Sequence, residues 1–187
     1  MILIRIDKVE GGVQFPNYQG YFIADSFDFG VTTDVKVPDI KNPFDMELSD
    51  AEEQELSISK QVDSATVYLM LQAMKGRTVE GVTEPCCIDI HIVHTRRYEE
   101  KDLGTTDRSP NAFLKIRIED AILQEWSING SNDDWPTESI KLKFNRAAMK
   151  FRAFGEGGKS VTHGPKGWDQ FKNEPWNSDV LASATPF

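Results

Sequence analysis

The chain of 187 residues carries 30 acidic and 21 basic residues, for a formal net charge of -9. That length supports one well-buried core with, at most, an appendage. The acidic balance argues against a surface built to hold phosphate backbones, so nucleic acid is not an expected partner, and no run approaches the roughly 18 to 20 apolar residues of a membrane-spanning helix.

The first segment, MILIRIDKVEGG, alternates: Ile2, Ile4 and Ile6 share one face of an extended chain, and Leu3, Arg5 and Asp7 the other. It reads as a strand, and its apolar run ends at Asp7, too soon for the core of a signal peptide. Residues 21 to 35, YFIADSFDFGVTTDV, put Tyr21, Ile23, Phe27, Phe29 and Val31 on one side. Asp25 is the exception and predicts an irregularity there. Residues 36 to 53 hold two prolines and the carboxylates Asp45, Glu47, Asp50, Glu52 and Glu53, with no sustained period. They are expected to form a long loop, and loops above about 12 to 15 residues tend to be functional or disordered.

Leu56 and Ile58 alternate with Ser57 and Ser59 in a short strand. Asp63 or Ser64 then supplies a side-chain acceptor for the first free amides of a helix. Val67, Met70, Leu71 and Met74 recur at three- and four-residue spacing, and Gly76 suits the left-handed residue that closes a helix. Beyond it the period of two returns in Ile88, Ile90 and Ile92, in Leu114, Ile116 and Ile118, and in Ile140, Leu142 and Phe144. One dry and one wet face per strand predicts antiparallel sheets packed on a core. NGSNDDWP, residues 129 to 136, is dense in turn formers and predicts a hairpin-type connection.

After Phe154 the chain is rich in Gly, Pro, Ser and Asn, with aromatics at Trp168, Phe171, Trp176 and Phe187. The expected organisation is therefore a domain over residues 1 to 154 and a C-terminal extension over 155 to 187, too short for a core of its own, whose aromatics imply docking.

Reaction chemistry is poorly represented. On a regular strand Asp89 and His91 share one face and His94 takes the other, so the three do not converge on a metal. Cys86 and Cys87 are neighbours with neither zinc-knuckle nor redox-pair spacing, which predicts no disulfide framework and fits a reduced, cytosolic folding environment. The glycines at 155, 157 and 158 are not followed by a helix with the lysine and hydroxyl of a phosphate loop, and the consecutive pairs Asp133 with Asp134 and Glu52 with Glu53 suit solvated loops better than acid–base work. No catalytic residue, metal or cofactor is expected.

The order and spacing of MILIRID, DSFDFGV, ELSISKQVDSATVYLMLQAMKGRT and PTESIKLKFNRAAMKF resemble the hemolysin-coregulated protein (Hcp) family, the inner-tube subunit of bacterial type VI secretion. The likeness covers about residues 1 to 154. Phe27 and Phe29 stand where members often carry tryptophan, and the segment from Gly155 has no counterpart in the plain family pattern. The resemblance implies a mainly β fold, a compact β-barrel of two antiparallel sheets with one flanking helix. It further implies six copies closing into a ring, rings stacking into a hollow tube, effectors in the channel, and spike, sheath and baseplate proteins as partners. It implies a cytoplasmic protein that is exported through the type VI system without a signal peptide.

Two residue-level expectations follow from that frame. Val67, Met70, Leu71 and Met74 are expected to pack against the barrel, leaving the helix's polar face exposed. Asp45, Glu47, Asp50, Glu52 and Glu53 are expected at a ring-to-ring contact, where they meet basic partners, since stacked copies of like charge otherwise repel. Two other readings stay open: an effector or enzyme with its activity in the extension, or an adaptor of the phage-tail-tube kind.

Overall fold

The computed structural model describes residues 1–36, 47–75, 86–93, 112–154, 160–177 and 181. In chain order these form β1 (Ile2–Ile6), β2 (Phe22–Ala24), β3 (Ser26–Lys36), β4 (Glu47–Gln61), α1 (Ala65–Lys75), β5 (Cys86–Val93), β6 (Ala112–Asn129), β7 (Thr137–Lys143), β8 (Arg146–Phe154), β9 (Ser160–Asp169) and β10 (Glu174–Pro175). Every strand pairing is antiparallel.

One path of the sheet runs β10-β9-β8-β6-β5-β1-β2, and a branch from β6 continues through β7 and β4 to β3. The mainly β, antiparallel architecture with a single helix is the expected one. Among the described residues the sheet does not close into a barrel.

Two bends redirect strands within it. At Asp25 the chain passes from pairing with β1 to pairing with β4, and the Asp25 amide donates to the Ser59 carbonyl at 2.9 Å. The extra residue reverses the side-chain parity: Phe22 and Ala24 point inward before it, Phe27 and Phe29 after it. Ile23 therefore lies outside, contrary to the single-sided reading of residues 21 to 35. In β6 the counterpart is Asp120, at φ 55°, where the strand leaves β5 and β8 for β7. A left-handed backbone at a residue with a short acceptor side chain is tolerable when that side chain is held. Arg146 Nε donates to Asp120 Oδ2 at 2.8 Å.

The main core gathers Ile4, Ile6, Phe22, Leu56, Ile58, Leu69, Ile88, Ile90, Ile116, Ile118, Ile140 and Leu142, so the isoleucine ladders read from the sequence are its substance. A smaller second cluster on the opposite face of β1 joins Leu3 to Val13, Tyr18, Tyr21, Val93 and Ala112.

Of residues 36 to 53, those the structure describes depart from the loop expectation, while 37 to 46 lie outside the described residues. Glu47 to Glu53 lie in β4, paired to β3 from Lys36↔Glu47 to Thr32↔Glu53, with register shifts on either side of Thr33. Because β7 joins β4 only from Glu55 onward, this part is a two-stranded ribbon among the described residues. The shifts break the alternation that would have announced a strand.

The extension adds to the same sheet. β9 pairs along β8, β10 pairs with Trp168 and Asp169, and Leu181 is buried. The division into residues 1 to 154 and 155 to 187 stands as our proposal.

Candidate functional site

The helix starts on Asp63. Its Oδ1 accepts from the Ala65 amide at 2.8 Å, while its own amide donates to Thr66 Oγ1 at 3.0 Å, a reciprocal cap. Gly76 lies outside the described residues. The helix packs on β6 through Ala65, Thr66 and Leu69, all buried. This corrects the expected packing face: Val67 is 64% exposed, Leu71 48% and Met74 73%, while Met70 is half-buried. Ala65 and Leu69, one turn apart, both join the main core. The stripe at 67, 71 and 74 faces outward.

A buried polar clasp fixes that helix start to the sheet. Lys60, wholly buried, donates from Nζ to Glu138 Oε1 at 2.5 Å, Asp63 Oδ1 at 2.7 Å and the Gln61 carbonyl at 2.7 Å. Glu138 also accepts from Thr66 Oγ1 at 2.8 Å and from Trp126 Nε1 at 2.8 Å. The three ammonium protons thus have acceptors and both carboxylate oxygens have donors, the condition under which a buried ion pair is tolerated. Lys60 and Glu138 are direct cross-strand partners in β4 and β7. The sequence held a signal for this: Lys60 continues the inward series Leu56, Ile58, and Glu138 precedes Ile140 and Leu142 in the same parity.

On the outer face of β1, β5, β6 and β8 a chain of ion pairs crosses the strands. Arg5 Nη2 and Arg117 Nη1 each reach Asp89 at 2.9 Å, Arg117 Nε reaches Glu119 at 3.1 Å, and Arg146 bridges Glu119 at 3.3 Å and Asp120 at 2.8 Å. Next to it His91 sits against the rings of Tyr18 and Tyr21, at 5.7 and 5.4 Å between centroids. Burial, then the charge of Lys115, pulls the His91 pKa down to about 4. Its Nδ1 is buried without a hydrogen-bond partner among the described residues. Asp89 is committed to its two arginines, and His94 lies outside the described residues.

Both cysteines are free. Cys86 Sγ donates to the Ala121 carbonyl at 3.2 Å, and burial, then the neighbouring Cys87, pushes its thiol up to about 11, far from a reactive thiolate. Among the described residues no group of three His, Cys, Asp or Glu side chains gathers to hold a metal.

Of the acidic set expected at a ring contact, Asp45 lies outside the described residues. Glu47, Asp50, Glu52 and Glu53 follow one another along the β4 arm of the ribbon.

The described features are a two-stranded ribbon, an outward apolar helix stripe and a largely buried network of ion pairs across the sheet. That is the class of a mainly β, antiparallel protein with one flanking helix. Residues 3–151 match the family described as "Type VI secretion system effector, Hcp". The chain belongs to the Hcp family, and with it to the tube subunits of type VI secretion. The fold is similar to that of a type six secretion system protein, at 18% identity and TM-score 0.68, covering 94% of this chain and 98% of that one. It is also similar to Hcp1 from Salmonella typhimurium, at 15% identity and TM-score 0.59, covering 94% and 97%. A chain of the PVC sheath–tube complex, an extracellular contractile injection system, matches at 12% identity and TM-score 0.51, covering 79% and 86%. No curated protein matches the sequence. No described helix is long and apolar enough to cross a membrane.

Proposed function

We propose that six copies of this chain close into a ring, that the rings stack into the hollow inner tube of a type VI system, and that effector proteins travel in the channel. The protein acts by geometry and catalyses no reaction; spike, sheath and baseplate proteins are its partners in the machine, and export through that machine takes it out of the cytoplasm. Family membership across residues 3–151 is the observation that carries this reading. The outward helix stripe supports it, since it is a surface that the subunit's own core does not use.

The acidic residues of the ribbon, with Asp45, take the ring-to-ring contact in this reading. Each copy brings a net charge of -9, so stacking requires either screening or local charge complementarity. Tubes of the unaltered protein should lengthen as salt rises. Reversing Glu52 and Glu53 to lysine should shift that salt dependence; an unchanged dependence removes the ribbon from the contact. A catalytic role for the extension finds less support, because residues 160 to 175 are spent on two strands of the main sheet.

A further inference from the structure

Val9 and Phe22 are both buried in the main core, and between them the chain makes an excursion, residues 10 to 21, whose buried apolar side chains belong to the second cluster instead. Lys8, at φ 63°, and Gly20, at φ 80°, turn the chain near its two ends. The excursion closes on itself: the Gly11 amide donates to the Gly20 carbonyl at 3.1 Å and the Val13 amide to the Tyr21 carbonyl at 2.9 Å. A side chain at Gly11 would collide with that Tyr21 carbonyl, so the close approach needs glycine. Val13, Tyr18 and Tyr21 then pack with Leu3, Val93 and Ala112 of the sheet. A flap with backbone bonds and an apolar cluster of its own is the kind of unit that opens while the rest of the fold holds.

His91 sits where this flap meets the sheet. It is the cross-strand neighbour of Leu3 on β1 and of Lys115 on β6, and the rings of Tyr18 and Tyr21 face it from the flap. The charges around it are Lys115, Asp89 and Arg5, with Lys150 of β8 opposite Lys115. A proton on His91 would set a second cation beside Lys115, while Asp89, the one anion of this set, already answers Arg5 and Arg117. The buried Nδ1 would carry that proton with no acceptor among the described residues. The Tyr21 ring gives little compensation, because Arg5 already stands 5.7 Å from its centre. Opening the flap lets water solvate the imidazolium. We propose that protonation of His91 releases the flap of residues 10 to 21, an acid-triggered device that lifts Tyr18 and Tyr21 off the sheet and bares Leu3, Val93 and Ala112 while the main core stays folded. The device does not depend on assembly into rings.

Amide hydrogen exchange of the purified 187-residue chain tests this, with each rate divided by that of an unstructured amide at the same pH. Two results are expected together. The Gly11, Val13 and Tyr21 amides should exchange through an opening that depends less steeply on urea than that of the β5 and β6 amides, since a local opening exposes less surface than global unfolding. Their protection should also fall by at least about tenfold from pH 7 to pH 5, because the open flap binds a proton that the closed one refuses. His91→Phe, and His91→Gln as the smaller replacement, should each remove most of that fall. Flap amides with the urea slope of β5 and β6 overturn the device, because the flap then opens only with the whole chain. A local opening whose protection does not fall with pH, or falls equally in both variants, overturns His91 as its trigger.

Discussion

Lys60 Nζ and Glu138 Oε1 lie 2.5 Å apart, with both side chains shut off from solvent. Their pairing joins β4 to β7 and, through Asp63 and Thr66, holds the first turn of α1 in place. Removing one partner strands a buried charge and should cost about 3 to 5 kcal/mol, whereas replacing both with apolar side chains of similar size should be far milder. In urea unfolding, Lys60→Met and Glu138→Leu singly should each be severe, and the double variant should recover most of the loss. Additive costs would mean that the two charges do not act as a pair.

Leu69 and Leu71 sit two residues apart and face opposite environments, the first buried against the sheet and the second half exposed. Leu69→Ala should cost about 2 to 5 kcal/mol in the dissociated chain. Leu71→Ala should stay within about 0.5 kcal/mol there. Equal losses in the two variants, read from chemical denaturation at low protein concentration, would contradict the orientation of the helix.

His91 makes stability depend on pH with a definite sign. Tyr18 and Tyr21 face its ring, Arg5, Asp89 and Lys115 are the charges around it, and its folded pKa is lowered from 6.5 to about 4. Between those values the unfolded chain binds more protons than the folded one, so stability falls as pH drops through that window. The full loss is roughly 3 kcal/mol, reached near the lower value. Melting temperatures of His91→Phe should fall less steeply over the same interval than those of the unaltered chain; parallel curves would assign the acid sensitivity elsewhere.

Much of this was legible in the sequence because one physical cause, burial of one strand face, writes a period of two. Ile88 and Ile90, Ile116 and Ile118, and Ile140 with Leu142 all lie where that period puts them. The misreadings have equally local causes. A single extra residue at Asp25 reversed the parity, so Ile23 was placed on the wrong side. Among the described residues the ribbon carries register shifts and no second neighbour along Glu47 to Gln54, and therefore no clean alternation. On α1, three-and-four spacing identified an apolar stripe correctly but assigned it to the subunit's own core. Periodicity reports that a face avoids water, and the partner covering it has to be found by other means. The clasp was visible as Lys60 and Glu138 standing at inward positions of two apolar series, though only the fold reveals that β4 and β7 bring them together.

The assembly state of the purified 187-residue chain tests the central claim most directly, by light scattering combined with particle images. Six subunits of 21.1 kDa give roughly 127 kDa, and the images should show annular six-fold projections. A 21.1 kDa species at every concentration and ionic strength, with no annular particles, would contradict the account.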